Sequence, residues 1–67
     1  MGRLALAARH VTEGARRVTA QRTLIAQLAS DGHDTSAADA LLQALERAQD
    51  LALAELQLVL KALETPG

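Results

Sequence analysis

The 67-residue sequence contains no cysteine, phenylalanine, tyrosine or tryptophan. Without cysteine no disulfide can form, and a structural zinc site loses its most common ligand. Without aromatic rings there is no platform on which the bases of a single-stranded nucleic acid could stack. A domain of this length buries only about 60% of the surface that its unfolded chain exposes. Since disulfides are excluded and a metal is disfavoured, self-association is the remaining route to a stable fold.

Long apolar runs are absent as well. No stretch approaches the roughly 20 uninterrupted apolar residues that a membrane-spanning helix needs. The run from Met1 to Ala8 has one charge followed by small apolar residues, as secretory signals do, but Arg9 and His10 end it too early for one. The sequence therefore predicts a cytoplasmic protein with no membrane partner.

The first half of the chain carries an apolar repeat with the spacing of helices that pack against other helices. Its positions recur at heptad spacing and are occupied by Leu4, Val11, Val18 and Ile25, and by Ala7, Gly14 and Leu28. This pattern predicts a helix over about residues 3–30. Gly14 lies inside that helix at a cost of about 1 kcal/mol against alanine. Either Gly14 lets another helix approach closely, or it is merely tolerated.

The middle of the chain interrupts this repeat with glycine and short polar side chains. Gly32 can adopt the left-handed conformation that ends many helices. Asp34 or Thr35 is expected to cap the helix that follows. The sequence therefore predicts a turn over residues 31–34.

The second half predicts a helix over about residues 35–64, ending before Pro66. Its inward positions alternate by threes and fours, and they are Ala38, Leu42, Leu45, Gln49, Ala52, Leu56, Val59 and Leu63. Further leucines lie on the flanks, so the apolar arc covers more than half of the circumference, against the roughly 100° of an ordinary surface helix. One partner helix cannot cover such an arc, and a large exposed apolar patch usually marks an interface.

The predicted fold is therefore all-α. It is an antiparallel helical hairpin, one domain over residues 1–67, that assembles into a four-helix bundle as a homodimer. A tetramer or a foreign helix would also cover the arc. The expected core consists of Leu4, Val11, Val18, Ile25 and Leu28 with Leu45, Ala52, Leu56, Val59 and Leu63. The expected oligomer interface consists of Leu51, Leu53, Leu56, Leu58, Val59, Leu60 and Leu63.

Two glutamines, Gln21 and Gln49, fall on or beside the apolar seams of their helices. A buried amide without a hydrogen-bond partner costs roughly 1 to 3 kcal/mol. The pair is therefore a candidate for setting register or oligomeric state, as a single polar residue does in coiled coils. Equally, both side chains could lie at the edge of the seam and reach water.

Charge is divided between the two helices. Residues 1–30 contain five arginines and one glutamate, a net +4, whereas residues 31–67 contain two basic and seven acidic side chains, a net −5, so that the whole chain carries −1. The division favours pairing of a basic helix with an acidic one. The arginines also allow an alternative, a nucleic-acid-associated regulator that binds phosphates through helix 1, although they do not form a compact patch.

No set of residues indicates catalysis. His10 and His33 are the only histidines, and helix geometry separates them by about 35 Å. The sequence has no Gly-rich phosphate loop and no combination of a nucleophile with a base. We therefore expect no enzyme activity, no cofactor, no metal and no small-molecule substrate. The predicted function is a structural or protein-interaction module, an adaptor or a regulatory subunit, whose partners are a second copy of itself and another protein.

Five short blocks form a spaced pattern over residues 10–45. They are His10–Gly14, Gln21–Arg22, Leu24–Ile25, Gly32–Thr35 and Leu41–Leu42. The pattern resembles the H-V-x-E-G, Q-R, L-I, G-H-D-T, L-L series of a group of short, uncharacterised bacterial helical-hairpin proteins. The resemblance implies a bacterial protein with the same hairpin, and it brings no activity, cofactor or site residue with it. The roles of His10, Glu13 and Arg22 in this pattern stay open.

Overall fold

The computed structural model describes residues 2–64 as two helices joined by a short turn. Helix α1 spans Arg3–Ser30 and helix α2 spans Ser36–Glu64. The two helices pack against each other, which confirms the predicted all-α hairpin. Helix α2 begins one residue later than expected. Met1, the first residue of the signal-like run, and Pro66, before which the second helix is predicted to end, lie outside the described residues.

A Schellman motif ends α1. The His33 N–H donates to the carbonyl of Leu28 at 2.8 Å, and the Gly32 N–H donates to that of Ala29 at 3.1 Å. These are the two hydrogen bonds that define the motif. It needs one residue in the left-handed region, and Gly32 supplies it with a φ of 78°. The chain therefore reverses direction where the sequence predicted the turn.

Asp34 caps the start of α2. Its Oδ1 accepts hydrogen bonds from the Ser36 backbone N–H at 2.9 Å and from the Ser36 hydroxyl at 2.6 Å. These bonds favour the ionised carboxyl and hold the pKa of Asp34 below its ordinary value of 3.8. The Thr35 hydroxyl instead donates to Asp39 Oδ2 at 3.0 Å. Of the two candidate caps, Asp34 is thus the one whose side chain accepts an N–H of the first turn.

The core of the hairpin is thin. Its buried apolar side chains among the described residues are Ala7, Val18 and Val59, and Gln21 is buried beside them. The remaining seam positions between the two ends of the hairpin are half-buried, because a single neighbouring helix covers one side of each. Leu63 and Leu4, which were expected in the core, are 66% and 38% exposed at the open end of the hairpin. They lie outside the buried part of the single chain.

The molecule is a rod rather than a sphere. It measures 57 × 17 × 13 Å and has a radius of gyration of 15.9 Å. A compact domain of the same length would have a radius of gyration of about 11 Å. The shape places nearly every residue within one side chain of the surface, so the surface decides how this fold is stabilised.

Candidate interaction surface

The middle of the hairpin is held by a contact between Gln49 of α2 and Gly14 of α1. The Gln49 amide crosses to α1, where its Nε2 donates to the carbonyl oxygen of Val11 at 2.8 Å. A Cβ atom at position 14 would overlap Gln49 Oε1 and lie 3.0 Å from its Cδ. The Gln49 amide therefore occupies space that exists only because residue 14 is glycine. Close packing, one of the two explanations that the sequence left open, accounts for Gly14.

The second polar atom of this amide has no conventional partner. Gln49 Oε1 is buried and accepts no hydrogen bond from the described residues. It faces the position where Gly14 carries a hydrogen instead of a Cβ. A Cα–H donor contributes about 0.5–1 kcal/mol at best, whereas an unpaired buried acceptor costs about 1–3 kcal/mol. The contact therefore fixes relative position more than it adds stability.

Gln21 makes the reciprocal contact near the turn. Its Nε2 donates to the carbonyl of Ala38 at 2.9 Å, and the side chain is buried. Each helix thus donates one side-chain amide to a backbone carbonyl of the other. A slip of one helical turn, about 5.4 Å, would break both bonds. This geometry supports a role for Gln21 and Gln49 in the register of the hairpin, while their effect on oligomeric state stays a prediction.

The residues predicted to form the oligomer interface fall into two groups. Five are exposed on α2, and they are Leu51, Leu53, Leu58, Leu60 and Leu63. Two are turned into the hairpin, namely Leu56, which is half-buried, and Val59, which is 6% exposed. The inward pair stabilises the hairpin and has little surface left for a second chain. The exposed group is the part of the prediction that is open to a partner.

One face of the hairpin carries the most exposed of these leucines. An open cleft of about 280 Å³ on this face is lined by residues of both helices that include His10, Arg17, Leu51 and Glu55. Leu58 follows Leu51 by seven residues, so it lies on the same side of α2. We call this surface the Leu51 face and define it by Arg17, Leu24, Leu41, Leu51, Glu55 and Leu58. Leu51 and Leu58 on it are 73% and 69% exposed.

The opposite face carries less exposed leucine. A shallow groove on this side is lined by Ala15, Arg22, Glu46 and Asp50, among others. Leu53 follows Glu46 by seven residues and Leu60 follows Leu53 by seven, which places both leucines here. We call it the Leu53 face. Its two leucines are 41% and 42% exposed, because they lie closer to the seam with α1.

The predicted oligomer interface left out Leu41, one of the flanking leucines of α2, which is 51% exposed on the Leu51 face. It centred on the leucine-dense end of α2, residues 51–63, where apolar composition is highest. Leu41 connects to Leu51 through two alanines at helical spacing, Ala44 and Ala48. Alanine carries a weak apolar signal, and for that reason the continuity of the stripe towards the turn was overlooked.

The exposed surface is larger than a compact chain of this mass would have. The accessible surface is 5054 Å² for 7.1 kDa, whereas compact monomers of that mass expose about 4,100 Å². The excess is roughly 1,000 Å². A standard protein–protein interface hides about 800 Å² on each partner. The excess therefore matches the area that one interface would remove.

Some of the charged side chains form ion pairs. Arg22 of α1 donates to Glu46 of α2 at 3.1 Å, and their side chains are 62% and 44% exposed. Arg9 donates to Glu13 one turn further along α1, also at 3.1 Å. Exposed pairs of this kind contribute about 0–1 kcal/mol each. They give Arg22 and Glu13 partners, and His10 lies at the cleft of the Leu51 face.

Comparison with protein-family models, with characterised proteins and with solved structures returned no match to this chain. Among residues 2–64, no three histidine, aspartate or glutamate side chains converge in a way that could hold a metal ion. Within the same range, neither helix combines the length and the apolar character that crossing a membrane requires. The surface of the hairpin is therefore the feature from which its function can be inferred.

Proposed function

We propose that this chain is a helical protein-interaction module that works as a homodimer, in which two hairpins form a four-helix bundle. The bundle acts as an adaptor or a regulatory subunit and presents its outer surface to another protein. The proposal includes no catalytic, cofactor or metal role. Bacterial origin and cytoplasmic location belong to the same proposal.

One observation carries it, the leucine surface left uncovered by the hairpin. Leu51, Leu58 and Leu63 each expose about two thirds or more of their side chains, and fully burying a leucine contributes about 1.5–3 kcal/mol. A lone hairpin has few buried side chains to set against the conformational entropy of ordering its residues. Self-association covers the leucines and enlarges the core in a single step.

Coupling between folding and assembly gives the test. If the dimer is the stable form, its melting temperature must rise with protein concentration, because only the folded state associates. We expect this rise when unfolding is followed by circular dichroism at 222 nm over a hundredfold concentration range. The variant Leu58→Glu should lose the concentration dependence and melt at a lower temperature. The matched control, Gln57→Glu, introduces the same charge at the neighbouring position, on the polar side of α2. This variant should keep the concentration dependence and the melting temperature of the natural chain.

A melting temperature independent of concentration, together with full helicity at the lowest concentration, would contradict the proposal. In that event the hairpin is stable alone, and the leucine surface is a docking site for a different protein.

The alternative is a nucleic-acid-associated regulator that uses the arginines of α1. Two of these arginines, Arg9 and Arg22, lie against carboxylates, which lowers the charge available to phosphates. The alternative predicts binding to duplex DNA or RNA that weakens steeply with salt. An electrophoretic mobility-shift titration at low salt decides it, since no retardation at micromolar protein would eliminate phosphate binding.

A further inference from the structure

The Leu51 face contains a second helix-packing seam on α2, separate from the one that contacts α1. Its positions alternate by threes and fours and are Leu41, Ala44, Ala48, Leu51, Glu55 and Leu58. Ala37 and Ala62 extend the series by one step at each end. All eight side chains are exposed in the hairpin. Sustained three-four spacing of this kind is the pattern by which helices pack along a shared seam.

We propose that this seam packs antiparallel against the same seam of a second copy. The inference rests on the proposed function, since it assigns the face and the geometry of the homodimer. The two-fold axis passes between Ala48 and Leu51. We call this arrangement the α2 seam dimer.

The seam is self-complementary about that axis. An antiparallel pair of helices brings positions together whose numbers add to a constant, and the axis chosen here pairs every member of the seam with another member. Leu41 meets the partner's Leu58, and Ala48 meets the partner's Leu51. Ala44 meets the partner's Glu55, and Ala37 meets the partner's Ala62. Large side chains thus meet a leucine or a small residue, and no position is left over.

The cleft on the Leu51 face fits the same axis. It opens between the helices, about 280 Å³ in volume, and its lining includes Ala48 and Ala52 of α2 and Gly14 of α1. In the α2 seam dimer the partner's Leu51 lies directly over Ala48, so its side chain enters this cleft. A leucine knob inserted among small residues is the packing mode of helical bundles.

Charge on α1 is arranged consistently with this axis. Gly14 lies opposite Gln49 in the hairpin, so the axis passes close to Glu13 and Gly14 along α1. Glu13 and Arg17 lie near the axis, and both line the cleft. A two-fold rotation brings Glu13 of one chain towards the partner's Arg17, and the reverse contact follows by symmetry. Opposite charges therefore meet where the two α1 helices approach.

The exposed area of the whole chain leaves room for one interface of standard size, and the exposure of individual leucines favours this face over the Leu53 face. The excess of roughly 1,000 Å² over a compact monomer is what one interface of standard size removes. Leu51, Leu58 and Leu41 expose 73, 69 and 51% of their side chains, against 41 and 42% for Leu53 and Leu60. Contact through the Leu51 face thus removes more apolar surface per residue from water.

Single cysteines provide the test, because the chain has none of its own. A disulfide needs Cα atoms within about 7 Å. Mixed Leu41→Cys and Leu58→Cys chains should form a mixed disulfide under copper-catalysed oxidation, and so should mixed Ala48→Cys and Leu51→Cys chains. Leu58→Cys alone should not link to itself, since the antiparallel arrangement separates the two copies by about 25 Å. Leu53→Cys with Leu60→Cys is the control pair on the other face.

A gain-of-binding variant complements the crosslinks, since misfolding cannot mimic it. Glu55 is the one charged member of the seam, and Glu55→Leu should lower the dimer dissociation constant by at least about tenfold, because each dimer contains two such sites. Gln57→Leu adds the same side chain on the polar side and should change the constant much less. Sedimentation equilibrium at several concentrations measures both constants.

The outcomes separate the two proposals. Mixed crosslinks at the seam pairs with tighter association of Glu55→Leu support the α2 seam dimer. Efficient self-linking of Leu58→Cys, dominance of the Leu53–Leu60 pair, or an unchanged constant for Glu55→Leu in a protein that still dimerises overturns the α2 seam dimer and leaves the proposed function standing. A chain that stays monomeric at every concentration overturns both.

Discussion

The contact between Gly14 and Gln49 makes a quantitative prediction that does not depend on the dimer face. The perturbation is Gly14→Ala, made once in the natural chain and once in a chain that also carries Gln49→Ala. Alanine stabilises a helix interior by about 1 kcal/mol relative to glycine. In the natural chain the new Cβ would overlap Gln49 Oε1, so the amide must leave its position.

The cost of that displacement can be estimated from the bond it breaks. The Gln49 amide loses its 2.8 Å hydrogen bond to the carbonyl of Val11, and a hydrogen bond of this kind contributes about 0.5–1.5 kcal/mol. Helix propensity and the lost bond then nearly cancel, so Gly14→Ala alone should change the free energy of unfolding little or unfavourably. With Gln49→Ala present nothing blocks the Cβ, and the same substitution should stabilise by about 1 kcal/mol. The coupling energy is therefore about 0.5–1.5 kcal/mol, the contribution of the lost bond.

Urea unfolding followed by circular dichroism at 222 nm measures the four corners of this cycle at one fixed protein concentration. A difference of 1 kcal/mol moves the urea midpoint by about 0.3–1 M, since m-values of small proteins are about 1–3 kcal/mol/M, and such a shift is well resolved. Ala20→Gly, on the exposed side of α1, serves as the control and should cost about 1 kcal/mol with either residue at position 49. Equal stabilisation by Gly14→Ala in both chains would refute the idea that Gly14 exists to admit Gln49.

Three further predictions follow from the turn and the seam. Gly32→Ala should cost about 1–2 kcal/mol, because alanine at a φ of 78° is strained, and a melting curve measures it. Asp34 has a lowered pKa through its bonds from Ser36, so its contribution is present above pH 3.8 and is lost as pH falls through the folded-state pKa. The melting temperature of Asp34→Asn should therefore approach that of the natural chain as pH decreases towards 2, and a constant gap would contradict this. Replacing Gln21 and Gln49 together by leucine should broaden the distribution of oligomers in native mass spectrometry, since both register-fixing amides are lost; an unchanged single species would remove their role in register.

Much of the fold could be predicted from the sequence, because the helices and the turn follow from the local spacing of apolar, glycine and capping residues. Heptad repeats place Val11 and Val18 on the inner side of α1, and Gly32 with Asp34 marks the reversal by backbone conformation and capping alone. The glutamines were recognised as seam residues from their position. Their acceptors are the carbonyls of Val11 and Ala38. These could not be predicted, because every residue has a backbone carbonyl and the sequence does not show which one accepts the bond.

The candidate surface was predicted less completely. Composition showed that α2 has more apolar arc than one helix can cover, and spacing placed Leu56 and Val59 on the inward seam. The predicted oligomer interface nevertheless included both of them beside Leu51 and Leu58, because the sequence does not show which residues the hairpin covers. That coverage depends on the rotation of α2 about its own axis, and the contact between Gln49 and Gly14 fixes that rotation. Once this rotation is known, the alanines between Leu41 and Leu58 can be recognised as part of a seam.

The central claim is that a second copy of the chain covers the exposed leucine surface. The most direct test is the solution mass of the unaltered protein by light scattering with refractive-index detection, over a wide dilution series. This detection suits a chain that has no tyrosine or tryptophan for ultraviolet quantification. The account predicts a mass of twice 7.1 kDa that falls towards one chain, with loss of helicity, only at high dilution. A folded monomer of 7.1 kDa at every concentration would contradict it.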